Sequence, residues 1–246
     1  MSEYRSDQVS NWDTGGEFTA CPSIPEAVLR LLRDRPPRAP HEGFGGLRMR
    51  TYNAHLHGLA LSPAQIFTIW MDRFPATWPA DNHFIPCAPA LEPGVTAAIL
   101  LSMPAGMRII TGARVVHRDE TSLTLMTLLG HMFAGLITFS VFLEDNDPVI
   151  QTQALVSPGD PLFELAFLLG FGQRGEDAFW HAALVNAARL FGVQASVQQE
   201  NRTISTNLQW RCFRNIWYNA AIRSIPQFFG RSLNTILKTP VIREAV

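Results

Sequence analysis

By type and spacing, three histidines and one glutamate are the residues best suited to chemistry in this chain. His55 and His57 stand two apart, so on a strand both imidazoles share one face, a usable geometry for metal ligands. Two imidazoles are too few for a site, and no nearby carboxylate in the sequence completes the set. The pair therefore reads as the polar end of a strand, and no metal is expected. His131 follows Gly130 at another strand end. A neutral imidazole there can donate to a bound carbonyl or act as a general acid or base; the plainer reading is a turn histidine bonded to backbone. Glu164 interrupts the apolar run from Leu162 to Phe171. It is either a buried carboxylate with a raised pKa or, more simply, the wet side of a first helical turn. His131, His55 and Glu164 are the acid–base candidates, and all three are weak.

Other motifs point away from common enzyme classes. There is no Gly-x-Gly-x-x-Gly and no phosphate-binding loop. Ser62 and Ser157 stand beside prolines, not in a Gly-x-Ser-x-Gly elbow. A hydrolase, kinase or dinucleotide enzyme is not expected, and neither is a cofactor.

The bulk numbers bound the rest. The 246 residues are 47% hydrophobic and 17% charged, with a net charge of −1. That suits one large domain with appendages. It gives no global field favouring nucleic acid. Cys21, Cys87 and Cys212 are few and far apart, which fits a reducing compartment. The first twenty residues lack the apolar core of a signal peptide. The longest greasy run, Leu162 to Phe171, is about half a membrane span. A cytoplasmic protein without a transmembrane segment is expected.

The elements that must position these residues follow from periodicity. Residues 1–46 read as a partly flexible leader with a short helix from Ser23 to Arg33. Leu47 to His57 alternates as a strand. Ser62-Pro63-Ala64-Gln65 is a capping box with proline at the first helical position. It opens a helix that turns Ile66, Phe67, Trp70, Met71 and Phe74 inward. Prolines then chop the chain into turns. Five apolar strands follow: Val95–Met103, Met107–His117, Thr121–Leu129, Leu136–Glu144 and Val149–Val156. Short breaks with turn chemistry imply an antiparallel meander. Ile109, Thr111, Ala113 and Val115 share one face, and Arg108 and Arg114 take the opposite, outer one.

Asp160-Pro161 caps a short helix, Leu162 to Leu169. A long helix begins near Gly175, with Glu176 and Asp177 in its first turn opposing the positive dipole end. It runs to Val193. Its alanine-rich middle either lets the backbone approach the sheet or leaves space beneath. Asn186 lies within an apolar stripe and, if buried, needs a partner, either sheet backbone or a ligand. Gln194 to Thr206 is polar, and Asn207 to Ser224 reads as a basic amphipathic helix ended by Pro226. A last short helix carries Phe229, Leu233, Ile236 and Leu237. The organisation is thus residues 1–46, 47–193 and 194–246. The tail has three readings: packing on its own domain, a homodimer contact, or membrane-surface attachment through Trp210 and Trp217 with Arg211, Arg214 and Arg223.

Three stretches carry a resemblance. They are Gly130-His131 leading to Ala134-Gly135, Ser157-Pro158-Gly159-Asp160-Pro161-Leu162-Phe163-Glu164, and Glu176-Asp177-Ala178-Phe179-Trp180 ending in Phe191-Gly192-Val193. With the order of elements, they resemble the START-like (SRPBCC, Bet v 1-like) superfamily, in particular bacterial members of unknown function. The resemblance covers roughly residues 47–193. It implies an α+β helix-grip fold, a curved antiparallel sheet wrapped around a long C-terminal helix, here with an extra helical tail. It also implies an apolar cavity between sheet and helix. Oxygenase relatives hold iron with two histidines and a carboxylate; no His-x4-His with a matching downstream Asp is present, which argues against that variant.

On this reading the cavity would be lined by Trp70, Phe74, Ile99, Leu101, Ile109, Thr111, Phe139, Val141, Phe179, Ala183 and Asn186. Any ligand should lie under Ala183 and Asn186. The expected partner is an apolar small molecule, lipid or polyketide-like, bound or transported. The alternatives are a cyclase or dehydratase using the same cavity, and an oligomeric interaction protein whose cavity is filled.

Overall fold

The computed structural model describes residue 32, residues 35–102 and residues 108–223. The helix expected from Ser23 to Arg33 (apart from Leu32), the turn at 104–106 and the last short helix fall outside the described residues. Among the described residues, eight strands form one antiparallel sheet in the order β2-β3-β4-β5-β6-β7-β1-β8. They are β1 (Leu47–His55), β2 (His83–Pro86), β3 (Thr96–Ser102), β4 (Arg108–Arg118), β5 (Ser122–Thr127), β6 (Phe133–Glu144), β7 (Asp147–Pro158) and β8 (Val197–Ser205). Strands β3 to β7 are the expected meander. The central β6–β7 pair is in register from Phe133 opposite Pro158 to Glu144 opposite Asp147. The helices are α1 (Pro63–Asp72), α2 (Pro161–Leu168) and α3 (Phe171–Arg189). The curved sheet closed by α3 is the α+β helix-grip fold.

Local chemistry sets the helix starts. Ser62 Oγ accepts from Gln65 N–H at 3.3 Å, and Gln65 Oε1 accepts from Ser62 N–H at 2.9 Å, a reciprocal cap that opens α1. Ile66, Phe67, Trp70 and Met71 are buried beneath it. Asp160 Oδ1 caps α2 by accepting from Leu162 and Phe163 N–H at 2.9 and 3.1 Å. The long helix begins at Phe171, a turn earlier than the Gly175 expected. Only Gly170, at φ +80°, leaves helical geometry. Gly172 stays helical, and a Cβ there would lie 3.2 Å from Phe167 Cα. Glycine at this point lets α2 and α3 approach closely rather than ending the helix.

The sheet extends past Val193. Residues expected outside the domain form β8, which pairs with β1 from Ala54 opposite Val197 to Leu47 opposite Ser205. Its side chains are mostly exposed, so no apolar alternation marked it. Short β2, inside the proline-rich stretch, pairs with β3 in the same way. The tail helix is also corrected. Residues Trp210–Tyr218 form a 3-10 helix, not an α-helix. The described part of the tail packs on its own domain. Phe44 meets the rings of Trp210 and Phe213 at 5.4 and 6.2 Å. Asn215 Nδ2 donates to the carbonyls of Glu42 and Gly159 at 2.9 Å each. Buried Asn219 donates to Asp160 Oδ2 at 2.7 Å. Gly130 accepts from Ala220 N–H at 2.9 Å and sits at φ +93°, where a Cβ would strike the Tyr218 carbonyl. Within the leader, Leu32 is buried, and Arg38 and Phe44 N–H donate to the carbonyls of Thr127 and Pro158.

Candidate functional site: an apolar cavity with one carboxyl in its wall

The interior between sheet and helices divides into a filled half and an open half. Aromatic rings fill one half. Phe74 lies 4.8 Å from Phe139 and 5.0 Å from Phe84, and Trp70 lies 5.9 Å from Phe139, all in edge-to-face or tilted contact. In the same half, Ala187 and Ala188 are fully buried and Ala183 nearly so. The alanines bring the α3 backbone down onto the core rather than leaving space.

The open half lies under α2 and the N-terminal part of α3. It is a cavity of about 510 Å³. The sheet contributes Ile99, Leu101, Ile109, Ala113, Leu125, Ile137 and Phe139 to its wall. The helices contribute Phe163, Ala166, Phe167, Gly172, Gly175, Phe179 and Trp180. Ala166, Gly172 and Gly175 leave room among the aromatic side chains of the helices that border it. Leu162 and Phe171 border the cavity while 43% and 72% exposed, so they mark its opening.

Among the described residues, two titratable groups reach this wall, His131 and Glu176. His131 Nδ1 lies 3.0 Å from Phe133 N and 3.1 Å from the Phe133 carbonyl oxygen, so by tautomer it accepts from the one or donates to the other. Burial pushes its pKa down to about 4, against a smaller opposing effect of the Phe133 backbone, so the ring is neutral at pH 7.

Glu176 belongs to a buried network that ties α3 to β1. Its Oε2 lies 3.2 Å from Arg50 Nη1, with side chains 7% and 3% exposed. That oxygen is fully enclosed and lacks an aligned hydrogen bond. Burial raises the Glu176 carboxyl to about 7, helped by Asp177 and opposed by Arg50 and Arg48. Asp177 Oδ1 accepts from Arg50 Nη2, from Tyr52 OH at 2.8 Å and from Gln199 Nε2 at 2.7 Å. Burial, then Glu176, pushes the Tyr52 phenol well above its ordinary range. Of these groups only Glu176 borders the cavity.

The candidates from sequence separate cleanly. Ile99, Leu101, Ile109, Phe139, Phe179 and His131 border the cavity; Trp70, Phe74, Thr111, Val141, Ala183 and Asn186 do not. Trp70, Phe74, Val141 and Ala183 belong to the packed core. Asn186 Nδ2 donates to the Thr77 carbonyl at 3.2 Å, and its Oδ1 accepts from Arg189, so it locks α3 to the turn after α1. Glu164 is buried, not on the wet side of its helix. It accepts two 3.3 Å hydrogen bonds from the guanidinium of Arg48, which lies over the Phe167 ring at 4.1 Å. His55 and His57 stack at 5.4 Å. Two carboxylates, absent from their sequence neighbourhood, reach them from the β6–β7 hairpin: Glu144 at 3.4 Å from His55 and Asp147 at 2.6 Å from His57. Even so, no group of three or more potential metal ligands forms among the described residues.

Starting the helix near Gly175 puts Glu176 in the first turn, opposing the dipole, and hides its inward direction. With the start at Phe171 it falls on the second turn and faces inward. Its spacing of four from Trp180 was the available signal, since both then share the buried face.

No family model matches the chain, and no curated protein matches it. Solved structures do match. Protein Ms6760 from Mycobacterium smegmatis is 14% identical, with 58% of this chain and 90% of that one covered at a TM-score of 0.43. The di-domain ARO/CYC StfQ from the steffimycin biosynthetic pathway is 12% identical, with 60% and 53% covered at 0.46, so this chain spans about half of it. Ara h 8.0201 is 10% identical, with 60% and 100% covered at 0.43. At these values the overlaps carry no argument about family, ligand or reaction.

Proposed function

We propose that this protein binds an apolar small molecule in the cavity between the sheet and the α2–α3 pair. The carrying observation is the cavity itself: about 510 Å³, walled chiefly by aliphatic and aromatic side chains. Ligand sites typically measure about 300–1,000 Å³ with an apolar wall and a few polar groups. Water inside such a wall finds few partners, so its displacement by an apolar body is favourable. Phe139, Phe179 and Trp180 offer ring faces and edges to that body. The exposed Leu162 and Phe171 at the opening give it an apolar path inward.

The experiment is native mass spectrometry on the purified protein, before and after organic extraction. A co-purified mass that extraction removes, and that rebinds from the extract, supports the reading. A chain that never carries or accepts an apolar molecule sinks it.

A second reading, cyclase or dehydratase chemistry on a bound polyketide-like ring, is favoured by one observation. Glu176 and His131 border the same cavity with pKa values moved in opposite directions. Glu164 and His55 drop out of it, because both lie off the wall. Turnover of a polyketide-like substrate that survives both Glu176→Gln and His131→Asn would remove this reading.

A further inference from the structure

Among the described residues, no lysine or arginine borders the cavity. The guanidinium groups of Arg48 and Arg50, behind the wall at Glu176, are already engaged. Arg48 is held by Glu164, and Arg50 by Glu176 and Asp177. Three carboxyl groups therefore face two cations in this cluster. No surplus positive charge is left to meet a ligand anion, and a carboxylate placed beside Glu176 would be repelled in a low-dielectric wall. Glu176 is at the same time the one member of the network that reaches the cavity. Its Oε2 is enclosed against Arg50, and Trp180 on the same wall hydrogen-bonds the carboxyl. Arg50, Tyr52 and Gln199 all donate to Oδ1 of neighbouring Asp177 instead.

We infer that the cavity selects neutral ligands, an apolar body bearing one hydroxyl or carbonyl group that hydrogen-bonds the Glu176 carboxyl, and discriminates against fatty-acid anions. This rests on the proposal that the cavity binds an apolar molecule, and it names the head group which that molecule carries. Because Glu176 is held near half-protonation at neutral pH, its carboxyl can accept from a hydroxyl or donate to a carbonyl.

The test compares two probes with the same fluorescent polyene chain and different heads, cis-parinarol and cis-parinaric acid, titrated into the full chain at about pH 8. The alcohol is expected to bind roughly tenfold more tightly than the acid. Glu176→Gln, which keeps the shape and hydrogen-bonding capacity but removes the charge, should bring the acid to within about threefold of the alcohol. Glu176→Leu should weaken the alcohol by roughly tenfold. Equal binding of both probes by the unaltered protein, or tighter binding of the acid, overturns the inference and leaves the cavity proposal standing. Failure of both probes to bind overturns the two together. The comparison in the unaltered protein needs no variant, so poor folding of a substituted chain cannot hide the answer.

Discussion

Arg50 on β1 and Glu176 on α3 meet 3.2 Å apart across the interior of the molecule. The contact fastens the closing helix to the sheet beside the open half of the interior. It also shapes the polarity of the cavity wall, because it brings a carboxyl to a mostly apolar surface. A buried pair of this kind is costly to desolvate and is weak evidence for stability by itself. Its position beside the cavity connects it to ligand choice.

Stability at Glu176 should fall as pH rises. The folded carboxyl titrates near 7, above the 4.5 of an unperturbed glutamate. Between those values the folded state holds a proton that the unfolded chain has released, so folding weakens from about pH 4.5 to about pH 7. Glu176→Gln lacks this group. Urea unfolding at about pH 5 and pH 8 should show the variant gaining on the unaltered protein by on the order of 2 kcal/mol. A pH-independent difference would mean that the carboxyl is not raised.

His131 has the opposite sign. Burial lowers its folded pKa to about 4 from 6.5. Below about pH 6.5 the unfolded chain takes up a proton that the folded ring refuses, so acidification weakens folding down to about pH 4. His131→Asn keeps an acceptor for Phe133 N–H without a titrating ring. Its unfolding midpoint should change less between pH 7 and pH 5 than that of the unaltered protein.

Glu164 serves structure, not chemistry. Removing it leaves the Arg48 guanidinium without its carboxylate partner over Phe167. Glu164→Ala should lower unfolding free energy by about 3 kcal/mol, the usual scale for breaking a buried pair. The affinity of the folded variant for Nile red should stay within about twofold, since Glu164 does not border the cavity. A selective loss of binding would return it to the site.

Asn219 clamps the tail. It saturates Asp160 Oδ2 while Asp160 Oδ1 caps α2. Asn219→Ala leaves that buried oxygen unpaired, at about 1–3 kcal/mol. Arg211 and Arg214, in the 3-10 helix just before it, should then become faster sites of tryptic cleavage. Unchanged cleavage would show that Asn215 and Phe44 hold the segment without it.

The meander and its closing helix were readable because each strand ends in a distinct turn. Asp145-Asn146, with both residues at positive φ, is one; Gly130 is another. The capping residues Ser62 and Asp160 announced α1 and α2. What escaped has a common cause in tertiary pairing. Strand β8 is polar on nearly every residue and exists through its backbone bonds to β1, which leave no side-chain periodicity. The interior could be anticipated as apolar, but not divided. Trp70, Phe74, Ile109 and Phe139 all point inward, and only their mutual packing decides that the first two fill one half while the others border a space. Glu176 depended on a helix start moved by four residues, from Gly175 to Phe171.

The most direct test is a titration with Nile red, a neutral apolar dye, of the unaltered protein and of Ala166→Trp. Ala166 borders the cavity from α2, and an indole there occupies part of its volume. Saturable, blue-shifted binding to the unaltered protein, weakened at least about tenfold in a variant with an unchanged folding midpoint, is the expected result. Absence of saturable binding, or equal affinity in the two proteins, would contradict a ligand site between the sheet and α2–α3.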